Sequence, residues 1–331
     1  MAEITQLLIH WLRAFYLIEI TTLEPLALGA DANAAVYKAK SVDTQVYFVK
    51  VRQGPPAEAP IEVITLLQNE GIKELISPIK TREGHQTLHV ENLMLTVYPF
   101  VEGENGFTRT LTDEQWILFG KALRKIHEIP MPKAVEQRIR RESFSTKWRD
   151  SVRSIMSAIE GDCDEIGAKF SAYLKEHAGT IADLVSRSEK LSKKIKGQSF
   201  PFVLCHSDIH AGNLLLTNEG GLFLIDWDDP LMAPRERDLM FIGGGVGNVW
   251  NNSREETLFY QGYGETELNP ALLAYYRHER ILEDIVDFAE GILLNNSSLE
   301  DKNEMYGHFL GMFEPNGVVD IALQADEAIV E

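Results

Sequence analysis

The sequence predicts an α+β chain of two lobes, a small β-rich lobe carrying one helix and then a larger, mainly helical lobe. Three observations carry this. Alternating apolar runs with β-branched and aromatic residues are concentrated in the first hundred residues, at 34–40, 45–51 and 86–98. Beyond Gly103 the apolar spacing is mostly helical. Between the two regimes lies Tyr98-Pro99-Phe100-Val101-Glu102-Gly103, a short connector. The expected boundaries are therefore 1–97, 98–103 and 104–331, and 331 residues suit two domains of about 150 residues each.

Each element has its own signal. Ile4, Leu7, Leu8, Trp11, Leu12 and Phe15 form one apolar stripe on a helix over 3–17. The runs AAVYKAK and QVYFVKV flank Ser41-Val42-Asp43-Thr44 and read as a hairpin. Ile61, Ile64 and Leu67 return to helical spacing over 57–69, and 86–98 reads as a second strand pair. Thr112 and Gln115 make a capping box that opens a helix over 113–128. Helices are expected over 147–160 and 165–195, and short strands over 202–205, 213–217 and 222–226. Asn269-Pro270 supplies an N-cap and a proline at the first helical position for a helix over 270–294. Helices over 299–313 and 318–328 follow.

Composition excludes whole classes. Apolar residues at 44% and charged residues at 25% describe a globular chain. A net charge of −18 argues against nucleic acid, whose phosphates need clustered cations. By region the charge is −4 over 1–103, +4 over 104–204 and −18 over 205–331. The acidic field thus belongs to the last part of the chain and suits a cationic partner. Two cysteines, Cys163 and Cys205, give no disulfide framework and point to a reducing, cytoplasmic setting. The N-terminal segment is broken by Glu3, Arg13 and Glu19 and reads as an amphipathic helix, not a signal peptide. No run of 18 apolar residues occurs, so no membrane span is expected.

The densest polar cluster is Cys205-His206-Ser207-Asp208-Ile209-His210-Ala211-Gly212-Asn213, placed after one apolar strand and before another. Ile225-Asp226-Trp227-Asp228 follows at the end of a third strand. A carboxylate, an amide five residues on and a second strand-end carboxylate are what phosphoryl transfer needs. One faces the attacking hydroxyl, while the other two offer oxygens to Mg²⁺.

These two motifs, in this order and spacing, resemble the catalytic core of the aminoglycoside phosphotransferase family, relatives of protein kinases. The resemblance extends over the whole chain and implies a bilobal protein-kinase-like fold, ATP and Mg²⁺ as cofactors, and a small-molecule substrate. The runs 234–241 (PRERDLMF), 243–251 (GGGVGNVWN) and 275–284 (YYRHERILED) resemble the branch that phosphorylates spectinomycin, an aminocyclitol antibiotic. The expected activity is resistance by phosphorylation of a spectinomycin hydroxyl, by a cytoplasmic monomer.

Residue by residue, the resemblance implies Asp208 as catalytic base and Asn213 and Asp226 as metal ligands. It implies Lys50 on the α/β-phosphates, paired with an acid on the following helix: Glu58, with Glu62 as the alternative. Pro99 and Val101 would offer backbone groups to adenine, Asn33 would touch a phosphate, and Asp238 would brace the catalytic loop. The chain departs from protein kinases in lacking G-x-G-x-x-G, with Leu28-Gly29-Ala30-Asp31-Ala32-Asn33 at that turn. No A-P-E segment with a phosphosite follows Asp226, so no activation-loop switch is expected, and His210 replaces the usual lysine.

Glu279, Glu283 and Asp287 recur one turn apart on the helix over 270–294, with Asp284 beside them. This row reads either as a solvated face relieved by Arg277 and Arg280 or as a wall for a dication such as spectinomycin, which carries two secondary amines. Glu283 and Asp284 are the chosen substrate contacts, with Trp250 a third and Asn248 and Asn251 in the same tract. Gly243 to Gly247 fails the test for a phosphate loop and reads as a turn. Three other readings remain: a kinase for another cationic alcohol (an aminoglycoside, choline or homoserine), a nucleotide-binding pseudokinase module, and a zinc hydrolase using His206, Asp208 and His210. The retained set of Lys50, Asp208, Asn213 and Asp226 argues against the module, and zinc needs further converging ligands.

Overall fold

The computed structural model describes residues 2–26, 33–54, 58–158, 164–246, 249–295 and 297–330. In chain order, α1 (Ala2–Tyr16) precedes β1 (Ile20–Leu26), β2 (Ala34–Ser41), β3 (Val46–Gln53), α2 (Ala59–Asn69), β4 (Leu88–Val90), β5 (Leu93–Pro99) and β6 (Glu104–Asn105). Next come α3 (Asp113–Glu128), α4 (Lys133–Glu136), β7 (Arg140–Arg141), α5 (Lys147–Ala158), α6 (Glu165–Glu176), α7 (Ala178–Ile195) and β8 (Val203–Cys205). The chain continues with β9 (Leu214–Leu216), β10 (Leu222–Leu224), β11 (Leu231–Ala233), α8 (Glu236–Leu239), α9 (Ser253–Tyr263), α10 (Pro270–Ala289), α11 (Leu299–Met312) and α12 (Val318–Val330).

These elements form two compact units. The first holds Met1–Arg109, Ile129–Ile139 and Asn213–Pro230, and the second holds Thr110–Glu128, Arg140–Gly212 and Leu231–Glu331. This differs from a single cut near residue 100. The segment 213–230 clusters with the N-terminal part because β9 pairs with both β6 and β10, and the Leu224 amide donates to the Glu74 carbonyl at 2.9 Å.

In the first unit an antiparallel sheet runs β1-β2-β3-β5-β4. Of the predicted stripe on α1, Leu8, Trp11 and Leu12 are buried against Ala39, Val49, Val51, Leu95 and Val97, with Ile4 and Phe15 partly buried. Tyr16 joins them, whereas Leu7 is exposed. Each large apolar side chain buried there contributes about 1.5–3 kcal/mol. Val49 and Val51 point into this core, so Lys50 between them projects from the opposite face of β3. Strand β1, which covers the edge of the sheet, was not predicted: its run ITTLEPL contains a proline, which a strand tolerates at an edge.

In the second unit α10 is the central element. Ile281, Leu282, Ile285 and Val286 are buried with Ile181, Leu184 and Val185 of α7, Val152 of α5 and Ala322 of α12. Asn269 caps α10 as predicted, its side chain accepting from the amides of Ala271 and Leu272. The last turn passes into a π-helix over Glu290–Leu294. The helix expected over 165–195 is two helices meeting at His177, the C-cap of one and N-cap of the next.

The unpredicted α9 crosses α3 at two glycines. A Cβ on Gly120 would lie 2.1 Å from the Phe259 carbonyl oxygen, and one on Gly262 would lie 2.0 Å from that of Ile117. Since backbone cannot step aside cheaply, Gly120→Ala is expected to cost at least about 2 kcal/mol, read as a lower urea midpoint. An unchanged midpoint would mean that the helices separate freely.

Candidate active site

The first unit presents Lys50 to an acidic turn. Lys50 sits in register between Val36 of β2 and Thr96 of β5. Its Nζ lies 2.5 Å from Asp228 Oδ2 and 3.4 Å from Asp226 Oδ1. Burial opposes the ammonium charge, but Asp228 and then Asp226 override it and raise the Lys50 pKa. The turn is anchored by Trp227, which is buried and donates from Nε1 to the Leu224 carbonyl. Asp226 has φ +61°, a left-handed conformation that short polar side chains tolerate. Asn213 closes a 3₁₀ turn, is 8% exposed, and accepts the Ile225 amide at its own carbonyl at 2.9 Å. Asn213 and Asp226 are thus fixed by the same short hairpin, and both offer the hard oxygens that Mg²⁺ takes.

A cavity of about 330 Å³, part of it open to solvent, lies beside Lys50, lined by Ile61, Met94, Thr96, Tyr98 and Asp228 among others. Tyr98 and Pro99 end β5, and the Phe100 amide donates to the Val46 carbonyl at 3.0 Å. Asn33 lies at the start of β2, its carbonyl accepting the Gln53 amide, whereas the turn residues 28–32 lie outside the described residues.

Glu58 does not pair with Lys50. Its carboxylate is 3.6 Å from His89 Nε2, and the alternative, Glu62, is 2.6 Å from Arg138. The reason is competition: Asp226 and Asp228 already supply two carboxylates to the one ammonium. Asp228, given no role from the sequence, is the nearer partner. Its only signal was its place two residues after Asp226.

The second unit holds Asp208. The loop after β8 turns sharply at Ser207, whose φ is +74°. Asp238, wholly buried on α8, accepts the His206 amide at 2.9 Å, the Ser207 amide at 2.7 Å and His127 Nε2 at 3.0 Å. That is the bracing expected of Asp238. Asp208 emerges from this loop with its side chain 41% exposed, 3.4 Å from His210 Nε2 and hydrogen-bonded to Arg280. Burial pushes the Asp208 carboxyl up, but Arg280 and then His210 outweigh it and hold it well below the usual carboxylate range.

The acidic face of α10 divides. Glu279 is buried and faces inward, 3.0 Å from Arg149 Nε and hydrogen-bonded by Ser188, so it belongs to the core. Glu283 faces Arg237 at 3.7 Å, and Asp284 lies 2.7 Å from Arg280. Asp284, Arg280, Arg277, Phe241, Gly244 and Val318 help line a cavity of about 340 Å³, part of it open to solvent. Gly244 is obligatory there, since a Cβ would lie 2.1 Å from the Met240 carbonyl oxygen. Burial pushes Asp284 up to about 6 against the pull of Arg280, and burial with Glu283 and Asp284 pushes Asp287 up to about 6.

Trp250 does not line this cavity. It is 3% exposed and packs on Trp116 and Phe119, with ring centroids 5.2 and 5.6 Å away. A large ring after an apolar valine is satisfied best by a core. Asn251 donates to the Asn316 carbonyl at 3.4 Å, and Gly247 and Asn248 lie outside the described residues.

The two histidines of the zinc reading are engaged within their loop. His206 Nδ1 accepts the Asp208 amide and His210 Nδ1 accepts the Gly212 amide. His127, Cys205 and Asp238 do bring donor atoms within 4.8 Å of one another. However, Asp238 uses both oxygens as described and His127 Nδ1 lies 2.7 Å from the Tyr263 hydroxyl. Burial pushes the Cys205 thiol up, so it stays protonated and structural.

The profile of the phosphotransferase enzyme family matches residues 22–278. The chain belongs to that family. This phosphotransferase is 45% identical to a spectinomycin phosphotransferase whose crystal structure contains ADP and spectinomycin, with a TM-score of 0.91 over 97% of this chain and 98% of that one. An AMP-bound structure of spectinomycin phosphotransferase gives 44% identity and a TM-score of 0.87 over 96% and 98%. The protein StrN of Streptomyces griseus is 23% identical over 252 residues, 73% of this chain and 76% of that protein. The fold is therefore kinase-like, and the chain is a phosphotransferase. Among the described residues, no helix is long and apolar enough to cross a membrane.

Proposed function

We propose that this phosphotransferase moves the γ-phosphoryl of ATP to a hydroxyl of spectinomycin, as a cytoplasmic monomer conferring resistance. The observation that carries this reading is 45% identity along 97% of the chain to an enzyme whose structure holds ADP and spectinomycin. The negative net charge of residues 205–331 and the ion-paired but partly exposed Glu283 and Asp284 favour a dicationic substrate.

In this reading Asp208 orients the attacking hydroxyl and accepts its proton. A carboxyl held so far below its usual range is a weak base, which suits a loose transition state whose demands are mainly alignment and charge stabilisation. Lys50 exchanges Asp228 and Asp226 for the nucleotide phosphates, and Asn33 contacts a phosphate. Pro99 and Val101 face adenine. Asn213 and Asp226 are the residues that would hold Mg²⁺, which supplies charge neutralisation on the phosphates when bound. Glu283 and Asp284 receive the antibiotic's ammonium groups.

The test is ADP release from ATP and Mg²⁺ with spectinomycin, kanamycin, streptomycin, choline and homoserine in parallel. Stimulation by spectinomycin alone is expected. Stimulation by choline or homoserine instead would replace the substrate, and nucleotide binding without ADP release would favour the binding module.

A pH prediction follows from Asp284, pushed up to about 6 by burial. A raised carboxyl is ionised above that value and neutral below it, and only the ionised form attracts an ammonium group. The kcat/KM for spectinomycin should therefore fall as pH drops through about 6, a step in which Asp287 shares. Asp284→Asn should shrink the step, leaving the part due to Asp287, while lowering kcat/KM at pH 8; a profile unchanged by that substitution would remove Asp284 from the substrate site.

A further inference from the structure

Arg280 has no role in the reading above, yet it joins the two groups that reading depends on. It stands on α10 one turn before Asp284. Its Nη1 donates to Asp208 Oδ1, its Nε lies 2.7 Å from Asp284 Oδ1, and its guanidinium carbon is 5.6 Å from the centre of the Phe241 ring. One planar cation therefore spans a carboxylate from the catalytic loop and a carboxylate from the substrate helix. Among the described residues, the other titratable or charged groups near this cluster are His206 and His210 on the loop, Arg277, Glu283 and Asp287 on α10, Glu290 just beyond it, and Arg237 of α8, which is 3.7 Å from Glu283.

We infer that Arg280 is a positioning residue that fixes the Asp208 carboxylate and couples it to occupation of Asp284. The inference rests on Asp208 being the base. A carboxylate 41% exposed has a broad, two-fold torsion to explore. A guanidinium confines it, because its donors form a rigid fork, whereas a lysine ammonium is a point charge that cannot span two acceptors with fixed geometry. A substrate ammonium seated on Asp284 reduces the negative charge Arg280 meets there and shifts its hold toward Asp208. The base is then most firmly oriented when the antibiotic is present.

The experiment compares wild type with Arg280→Met, Arg280→Lys and Arg280→Ala, following kcat against pH at saturating ATP, Mg²⁺ and spectinomycin. Arg280→Met should lose about 10–100-fold in kcat, the scale of a misplaced catalytic group, with nucleotide KM unchanged. Its acid limb in kcat should move up by about 1–3 pH units, because a cation beside an aspartate lowers its pKa by that much. Arg280→Lys should return the limb without full kcat, and methylguanidinium added to Arg280→Ala should restore part of kcat. An unmoved limb with wild-type kcat would overturn the inference. So would a fall in kcat matched by lost nucleotide affinity and lower melting temperature with the limb unmoved. Should Arg280→Met not fold, Arg280→Lys against Arg280→Gln gives the same charged-versus-neutral comparison. Failure of the underlying reading looks different: wild type releases no ADP with spectinomycin, or Asp208→Asn is fully active.

Discussion

Asp208→Asn should lower kcat by about 10²–10⁴-fold, the usual contribution of a positioned general base, while ADP affinity stays at the wild-type value. The substitution is chosen because it keeps the shape of the side chain. The amide oxygen can still accept from Arg280, and the amides of His206 and Ser207 keep their bonds to Asp238. What is lost, on the proposed reading, is the negative charge facing the hydroxyl and the capacity to take its proton. Saturating steady-state kinetics separate this from a binding defect, since an interaction made only in the transition state lowers kcat and kcat/KM together. Nucleotide affinity is measured separately by calorimetry. A variant that turns over like wild type would place the base elsewhere. A variant that loses ADP affinity in proportion would make Asp208 part of the nucleotide site.

The features most legible in the sequence lie in short, local patterns. Asp208 and Asn213 share one loop and Asp226 ends the hairpin that follows it, and the caps Thr112 and Asn269 act on amides two or three residues away. Such features depend on neighbours along the chain and are legible without tertiary information. The pairs that were misread or missed all depend on distant elements. Lys50 meets Asp228 across 178 positions, and Arg280 meets Asp208 across 72. Neither separation leaves a trace in periodicity. Glu58 was a reasonable partner for Lys50 only if the helix began in a particular register, and 51–57 contain two prolines that hide it. Trp250 shows the same limit from the other side. A tryptophan among glycines and asparagines looks exposed until Trp116 and Phe119 of α3 arrive to bury it. Glu279, Glu283 and Asp284 form one acidic row in the sequence, yet burial separates a core ion pair from two substrate candidates.

Asp238→Ala should cost about 3–5 kcal/mol, the scale of breaking a buried, paired charge, and should remove activity with it. Asp238 is wholly buried and accepts three hydrogen bonds, two of them from consecutive backbone amides. Alanine leaves those amides buried without acceptors, and each orphan costs about 1–3 kcal/mol. The loop they belong to is strained at Ser207, whose φ of +74° persists only while its surroundings enforce it. Asp238→Asn should be nearly as damaging, because an amide group offers one oxygen where two amides and an imidazole need acceptors. The same bonds set a pH dependence. Burial opposes ionisation of Asp238, and the hydrogen bond from His127 overrides it, so the carboxyl lies below its ordinary range. A depressed carboxyl stabilises the fold above its unfolded pKa of about 3.9, and that stability is lost as pH falls through the folded value. Urea midpoints measured from pH 7 down to pH 3 should therefore decline less steeply in Asp238→Ala than in wild type. Parallel declines would show that other carboxylates, not Asp238, govern acid unfolding. A wild-type midpoint at pH 7 for the alanine variant would show that the loop holds its turn unaided.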